Sequence, residues 1–140
     1  MILGPIKYSV IEIPIDDSDY NAFNQFLDNY RKGAVLSFSS RAQENSFMNM
    51  NTGLCSYHGY GLLDVCENVL NTGLTLIKCH NPWSAGGEWS GEWSDSSELW
   101  NKYPKIKLKL NFELKDDGTF WIEKKDFSKA FCLIWVAYKI

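Results

Sequence analysis

Two histidines, His58 and His80, and four cysteines, Cys55, Cys66, Cys79 and Cys132, are the side chains of this 140-residue sequence best suited to acid–base or nucleophilic work. His58 lies in Ser56-Tyr57-His58-Gly59-Tyr60-Gly61, where the glycines flanking Tyr60 leave room for a close approach to the backbone. His80 opens His80-Asn81-Pro82-Trp83. The stretches from Tyr57 to Val69 and from Leu74 to Cys79 read as strands joined by a turn at Asn71-Thr72-Gly73. A hairpin sets the start of its first strand beside the end of its second, so His58 and Asn81 are expected to be neighbours. An imidazole acting as a general base needs a third group to fix its ring and tautomer, and the Asn81 side-chain oxygen is suited to that. Together with a cysteine, such a pair makes one form of catalytic triad. Trp83 is placed to shield the hydrogen bond from water. On spacing alone the same residues also fit a packed imidazole and an ordinary Asn-Pro turn.

The cysteines do not complete the set by themselves. They show no CxxC pairing and no zinc-type spacing, and in a reducing compartment they act as small buried hydrophobes. Cys55 is close to His58 in sequence, but on a strand residues three apart point to opposite faces. No nucleophile is assigned within the chain.

The elements that must hold these residues follow from periodicity. Ile6 to Ile13 reads as a first strand. Asp16, Asp17 and Ser18 are available to cap a helix with apolar positions Tyr20, Phe23, Phe26, Leu27 and Tyr30, which Gly33 ends. Ala34 to Ser39 reads as a strand and Arg41 to Thr52 as a loop. Pro82 to Asp95 reads as a long loop, with Asp95 or Ser96 capping a short helix through Trp100. From Lys105 to Leu114, lysines alternate with Ile and Leu, which predicts a half-buried strand turned back at Asp116-Asp117-Gly118 into Thr119 to Ile122. Asp126 to Phe131 reads as a short helix and Cys132 to Tyr138 as a last buried strand. Mostly antiparallel strands with two or three short helices make an α+β fold.

Several text blocks sharpen this picture: Leu76 to Trp83, Gly87-Glu88-Trp89-Ser90-Gly91-Glu92-Trp93-Ser94-Asp95, Leu99-Trp100, Asp117-Gly118-Thr119-Phe120-Trp121-Ile122 and Asp126-Phe127. In their order and spacing they resemble the calpain family, calcium-dependent papain-like cysteine proteases with a two-part protease core. The resemblance runs from about Gly33 to the end and covers the part that carries His and Asn. It leaves residues 1–32 as a strand and helix at the end of the preceding subdomain and makes 33–140 the His/Asn subdomain.

By that resemblance, His58 matches the catalytic His, Asn81 the catalytic Asn, and Trp83 the tryptophan beside the active site. Glu88, Asp95 and Asp117 match acidic positions of a calcium site, and carboxylates are suitable hard ligands for that ion. The same residues also serve a bland role, Asp117-Gly118 as a turn and Asp95 as a cap. The family usually has Gly at the position of Tyr57, Gly at that of Ser84 and an acid at that of Thr119, and one extra residue lies between Asn81 and Glu88. Papain-like enzymes keep the nucleophilic Cys about 130 residues or more upstream of the His, and no matching segment is present. The resemblance therefore implies the His/Asn part of a calcium-dependent endopeptidase, needing a Cys-bearing half in cis or trans and acting on a protein substrate. The alternative is a non-catalytic binding or regulatory module that uses Trp83, Trp89 and Trp93 as contact surface.

Composition agrees with a folded domain: 45% of residues are hydrophobic, 15% aromatic and 22% charged. A net charge of -3 argues against a nucleic-acid binder. The first residues lack the pattern of a signal peptide, and the longest apolar stretch, Phe131 to Tyr138, is too short to span a bilayer. A cytoplasmic protein is expected.

Overall fold

The computed structural model describes residues 4–43, 46–82, 87–115 and 117–140. Its framework is a six-stranded antiparallel sheet. The strands are β1 (Ile6–Glu12), β2 (Val35–Ser40), β3 (Gly59–Cys66), β4 (Leu76–His80), β5 (Thr119–Glu123) and β6 (Phe131–Lys139). They lie in the order β1-β6-β2-β3-β4-β5. Four helices accompany them, α1 (Asn21–Arg31), α2 (Leu99–Lys102), α3 (Pro104–Lys109) and α4 (Phe127–Ala130). This is the expected α+β fold. β1 pairs with β6 along its whole length, and α1 packs on the sheet.

Apolar residues gather in two cores. On one face of the sheet, Phe23, Phe26 and Leu27 of α1 meet Leu36, Phe38, Tyr60, Ile77, Phe120, Phe127, Phe131 and Ile134. The rings of Phe23, Phe26, Phe38, Phe127 and Phe131 pack mostly edge to face or tilted at centroid separations near 5 Å, with Phe26 stacked on Phe127 at 5.6 Å, which suits the ring quadrupoles. On the opposite face, beneath β4 and β5, Leu76 and Trp121 join Val69, Trp93, Trp100 and Ile106. Trp100 stacks on Phe112 at 4.0 Å and donates its indole N–H to the Ser94 carbonyl at 2.9 Å.

The stretch from Lys105 to Leu114 is not a strand. Residues 104–109 form α3, started by Pro104, whose fixed φ suits a first helical turn. Ile106 is buried while Leu108 stays exposed, so the two do not share a strand face. Leu110, four residues after Ile106, packs on the second core. The alternating lysines produced a period of two that a short helix also satisfies. Asp117-Gly118 accordingly does not turn that segment back. β5 instead pairs with β4. The β3–β4 connection is also longer than a tight hairpin, with a 3-10 turn at Val69–Asn71 and Gly73 at φ 82°. Asp95 and Ser96 do not cap α2, which starts at Leu99, where Ser97 Oγ accepts the Leu99 N–H. Among the described residues no helix is long and apolar enough to cross a membrane.

At the start of α1, Tyr20 takes a left-handed conformation, and the buried Asp17 carboxylate accepts the N–H groups of Ala22 and Phe23 at 3.1 and 3.2 Å. Those donors have no partner within the helix, so the cap satisfies them. Asp17→Ala is expected to lower stability by about 1–2 kcal/mol, read as a shift of the urea midpoint with an unchanged slope. A shift within error would remove this role.

Candidate active site

His58 immediately precedes β3, and its main chain is clamped by Ser40 at the end of β2. The Ser40 N–H donates to the His58 carbonyl at 2.9 Å, and the His58 N–H donates to Ser40 Oγ at 2.9 Å. The same hydroxyl bonds the Cys55 carbonyl. Tyr57 turns the chain into this position in the left-handed region, at φ 49°, with its side chain exposed. A residue with a Cβ pays there for a conformation that glycine adopts freely.

Asn81 follows β4 directly and is fully buried, its N–H donating to the Gly118 carbonyl at 2.8 Å. The side chains of His58 and Asn81 meet: Nε2 lies 2.8 Å from Asn81 Oδ1. An amide oxygen only accepts, so an imidazole that makes this bond carries its proton on Nε2, and a neutral ring then has its lone pair on Nδ1. The hairpin geometry, set by the Gly61–His80 register pair, brings together residues remote in sequence. His58 is itself buried, and its ring stands edge-on to Tyr60 at 5.0 Å.

Tyr60 ties the surroundings together and was not singled out from sequence for any role. Its hydroxyl accepts the Cys55 N–H at 3.0 Å and donates to the Gly87 carbonyl at 2.6 Å. Burial pushes its pKa up, so it remains a phenol that can donate. Gly87 has φ 67°, and a Cβ there would come 2.6 Å from Cys55 Sγ and 3.3 Å from Asn81 Nδ2. Only glycine lets this loop lie against the site. Its appearance at the head of the Gly87-Glu88-Trp89 block was the available signal.

The cysteines are placed for packing. All four are free thiols. Burial pushes the Cys79, Cys66 and Cys132 thiols up, opposite to what a nucleophile needs. Cys55 is not on a strand, so its separation from His58 does not follow from strand alternation. It is buried, with Sγ 3.7 Å from Met48 Sδ. Trp83 lies outside the described residues. Trp89 and Trp93 are buried rather than displayed, the Trp89 indole donating to the Glu92 carbonyl at 2.8 Å. These two therefore do not form the expected contact surface.

Of the acidic trio, Asp95 and Asp117 line one cavity of about 210 Å³, together with Glu113, Thr119, Lys78 and Lys115. Glu88 is not among its lining residues. Asp117 Oδ1 accepts both the hydroxyl and the N–H of Thr119, at 2.6 and 3.0 Å, and these bonds hold its carboxyl below the usual range. Glu113 is paired with Lys115 at 2.6 Å. Carboxylates from two segments in one polar cavity fit a hard cation, while two ammonium groups beside them weaken its hold. Among the described residues the carboxylates that gather within 4.8 Å as a trio are Glu92, Glu123 and Asp126. Lys125 bridges the first two, and Lys129 pairs with the third.

Gly87→Ala is expected to destabilise the protein by about 1–3 kcal/mol, through both positive φ and the clash. It should also shift the His58 ring resonances in NMR spectra, because the collision falls on Cys55 Sγ and crowds Tyr60 and Asn81, both of which contact the ring. Unchanged stability and unchanged resonances would show that the loop is free to yield.

A family profile described as "Calpain family cysteine protease" matches residues 5–138. Calpain-5 of Mus musculus is 31% identical over 140 residues, covering 91% of this chain and 22% of that protein. The calpain-type cysteine protease ADL1 of Oryza sativa is 33% identical over 122 residues, covering 87% of this chain and 5% of its own length. Calpain-B of Drosophila melanogaster is 39% identical over 87 residues, covering 56% of this chain and 9% of that one. The chain thus spans about a fifth or less of these relatives' length, while the family profile matches nearly all of the chain. It belongs to the calpain family of cysteine proteases.

Proposed function

We propose that this chain supplies the general base and its orienting partner to a calpain-type endopeptidase acting on proteins. The observation that carries the proposal is the buried 2.8 Å bond between His58 Nε2 and Asn81 Oδ1. With the proton fixed on Nε2, Nδ1 takes the proton of a cysteine thiol as the thiolate attacks the scissile carbonyl. It later returns that proton to the leaving amine. Asn81 is neutral and stays so, orienting the imidazole and stabilising the imidazolium by accepting its Nε2–H. The thiol comes from a Cys-bearing half, in cis or in trans, since the chain's own cysteines sit in packing roles. Four free thiols suit a reducing compartment such as the cytoplasm.

Calcium belongs to the same proposal. Asp95 and Asp117 would hold it, with Glu88 joining if its loop closes on the cavity. When bound, the ion would supply charge that draws the two segments together and would take no part in bond making. Binding is expected to be weak, roughly sub-millimolar to millimolar, for a site short of carboxylates. Calorimetry on the wild type should show heat that Asp95→Ala removes, and equal heats or none would remove the metal.

Activity tests the main claim. Alone, the chain should neither cleave peptides nor be labelled by thiol-protease probes, because a base without a nucleophile forms no acyl-enzyme. Adding a Cys-bearing calpain half should restore cleavage, and His58→Ala should abolish it. Cleavage by the isolated chain that disappears in Cys55→Ala would contradict the assignment.

A further inference from the structure

The segment from Lys102 to Lys115 carries five lysines and one glutamate, a net charge of +4 in a chain whose total is -3. The rest of the chain therefore carries -7, so positive charge is concentrated on one short stretch. Glu113 is already neutralised by Lys115 at 2.6 Å. Lys102, Lys105, Lys107 and Lys109 are all exposed, and among the described residues none of them forms an ion pair. Like charges this close repel one another, and an anionic partner relieves that repulsion.

Helix geometry narrows the kind of anion. α3 is anchored by Ile106 and Leu110, which pack on the second core. With about 3.6 residues per turn, Leu108 falls on the side away from that core, and it is 78% exposed. Lys105 and Lys109 flank Leu108 on one side of the helix and Lys107 flanks it on the other. Pro104, Lys107, Leu108 and Phe112, with Asn111 and Glu113, line an open groove of about 700 Å³, and Leu114 beyond them is 75% exposed. An apolar apex between ammonium groups on long stems suits a lipid–water boundary, where leucine enters the acyl edge and the lysines reach the headgroups. Protein interfaces are depleted in lysine. The stretch contains no arginine, the residue best shaped for paired hydrogen bonds to nucleic-acid phosphates and bases, and a sugar–phosphate backbone offers Leu108 and Leu114 no apolar contact.

We propose that α3 with its flanking residues, from Lys102 to Lys115, is a peripheral docking surface for bilayers that contain anionic phospholipid, with Leu108 seated at the boundary between headgroups and acyl chains. This inference is independent of the catalytic reading, because none of these residues belongs to the His58–Asn81 pair or its supports. One short helix with a few lysines holds a membrane weakly and reversibly. The contact concentrates the chain at a negatively charged surface and fixes which side of the fold faces it.

The test is co-sedimentation of the full chain with vesicles of phosphatidylcholine alone, or of phosphatidylcholine and phosphatidylserine at roughly three to one. At low salt the wild type should bind the mixed vesicles about tenfold or more better than the neutral ones, and added salt should release it. Each lysine near such a surface raises partitioning about fivefold, so Lys105→Glu combined with Lys109→Glu should lower it by more than about tenfold. Leu108→Ser removes apolar contact and no charge, and should lower it about threefold or more. Lys32→Glu, an exposed change of the same sign at the end of α1, should stay within about twofold of the wild type. Thermal unfolding confirms that each variant is folded, and Lys107→Ala with Leu108→Ser gives the decision should the double glutamate variant not fold. No binding, equal binding to both kinds of vesicle, or an equal loss in Lys32→Glu would overturn the proposal. So would Leu108→Ser that binds like the wild type, because charge alone would then account for the contact. Tighter binding of single-stranded RNA, lost in the lysine variants and kept in Leu108→Ser, would assign the patch to nucleic acid and overturn it as well.

Discussion

The hydrogen bond from His58 Nε2–H to Asn81 Oδ1 is the constraint around which the neighbouring structure is arranged. Both residues are buried, and a buried polar group that loses its partner costs about 1–3 kcal/mol. Satisfying both demands that their backbones be fixed from several directions. Ser40 holds His58 by two main-chain bonds, and the Gly118 carbonyl holds Asn81. Tyr60 supports the imidazole edge while its hydroxyl joins the Cys55 and Gly87 segments. Removing any one of these contacts leaves a buried donor or acceptor unmatched, so the network is costly to open and rigid while closed.

The sheet supplies that rigidity through unequal covering of its faces. Phenylalanines from α1 and α4 cover most of one side, while a tryptophan-rich loop with α2 and α3 packs on part of the other. The site sits at the strand ends, with β2, β3 and β4 contributing neighbouring termini. Three strands in fixed register therefore set the positions of Ser40, His58 and Asn81. Such strand-borne residues are positioned more precisely than residues on loops. The acidic positions, carried by connecting segments, meet only in part: Asp95 and Asp117 share a cavity that Glu88 does not line.

Much of this was legible from residue patterns. Helical spacing placed α1, alternation and apolar runs placed β1, β2, β5 and β6, and hairpin logic placed Asn81 beside His58. What periodicity missed was set by tertiary packing. The alternating lysines between Lys105 and Lys109 imitate a strand, but Pro104 and the second core select a helix that buries Ile106 and leaves Leu108 in water. The tryptophans of the Gly-Ser-Trp loop looked like contact residues because composition does not say which face a loop ring turns to. In the fold Trp89 and Trp93 are core. Ser40 and Tyr60 carried no motif at all, and their importance appears only when the strands are paired. Conversely, Cys132 to Tyr138 reads as a buried strand, and in the fold Ile134 and Val136 are buried while Trp135 is half exposed.

The central claim is that Asn81 fixes the protonation and orientation of the His58 imidazole. The most direct measurement is the long-range proton–nitrogen NMR spectrum of the His58 ring at neutral to mildly alkaline pH, in the wild type and in Asn81→Ala. A single Nε2–H tautomer in the wild type, with a protected ring proton, giving way to a mixed and rapidly exchanging population in Asn81→Ala, is the predicted result. An Nδ1–H tautomer in the wild type, or the same spectrum in both proteins, would contradict it.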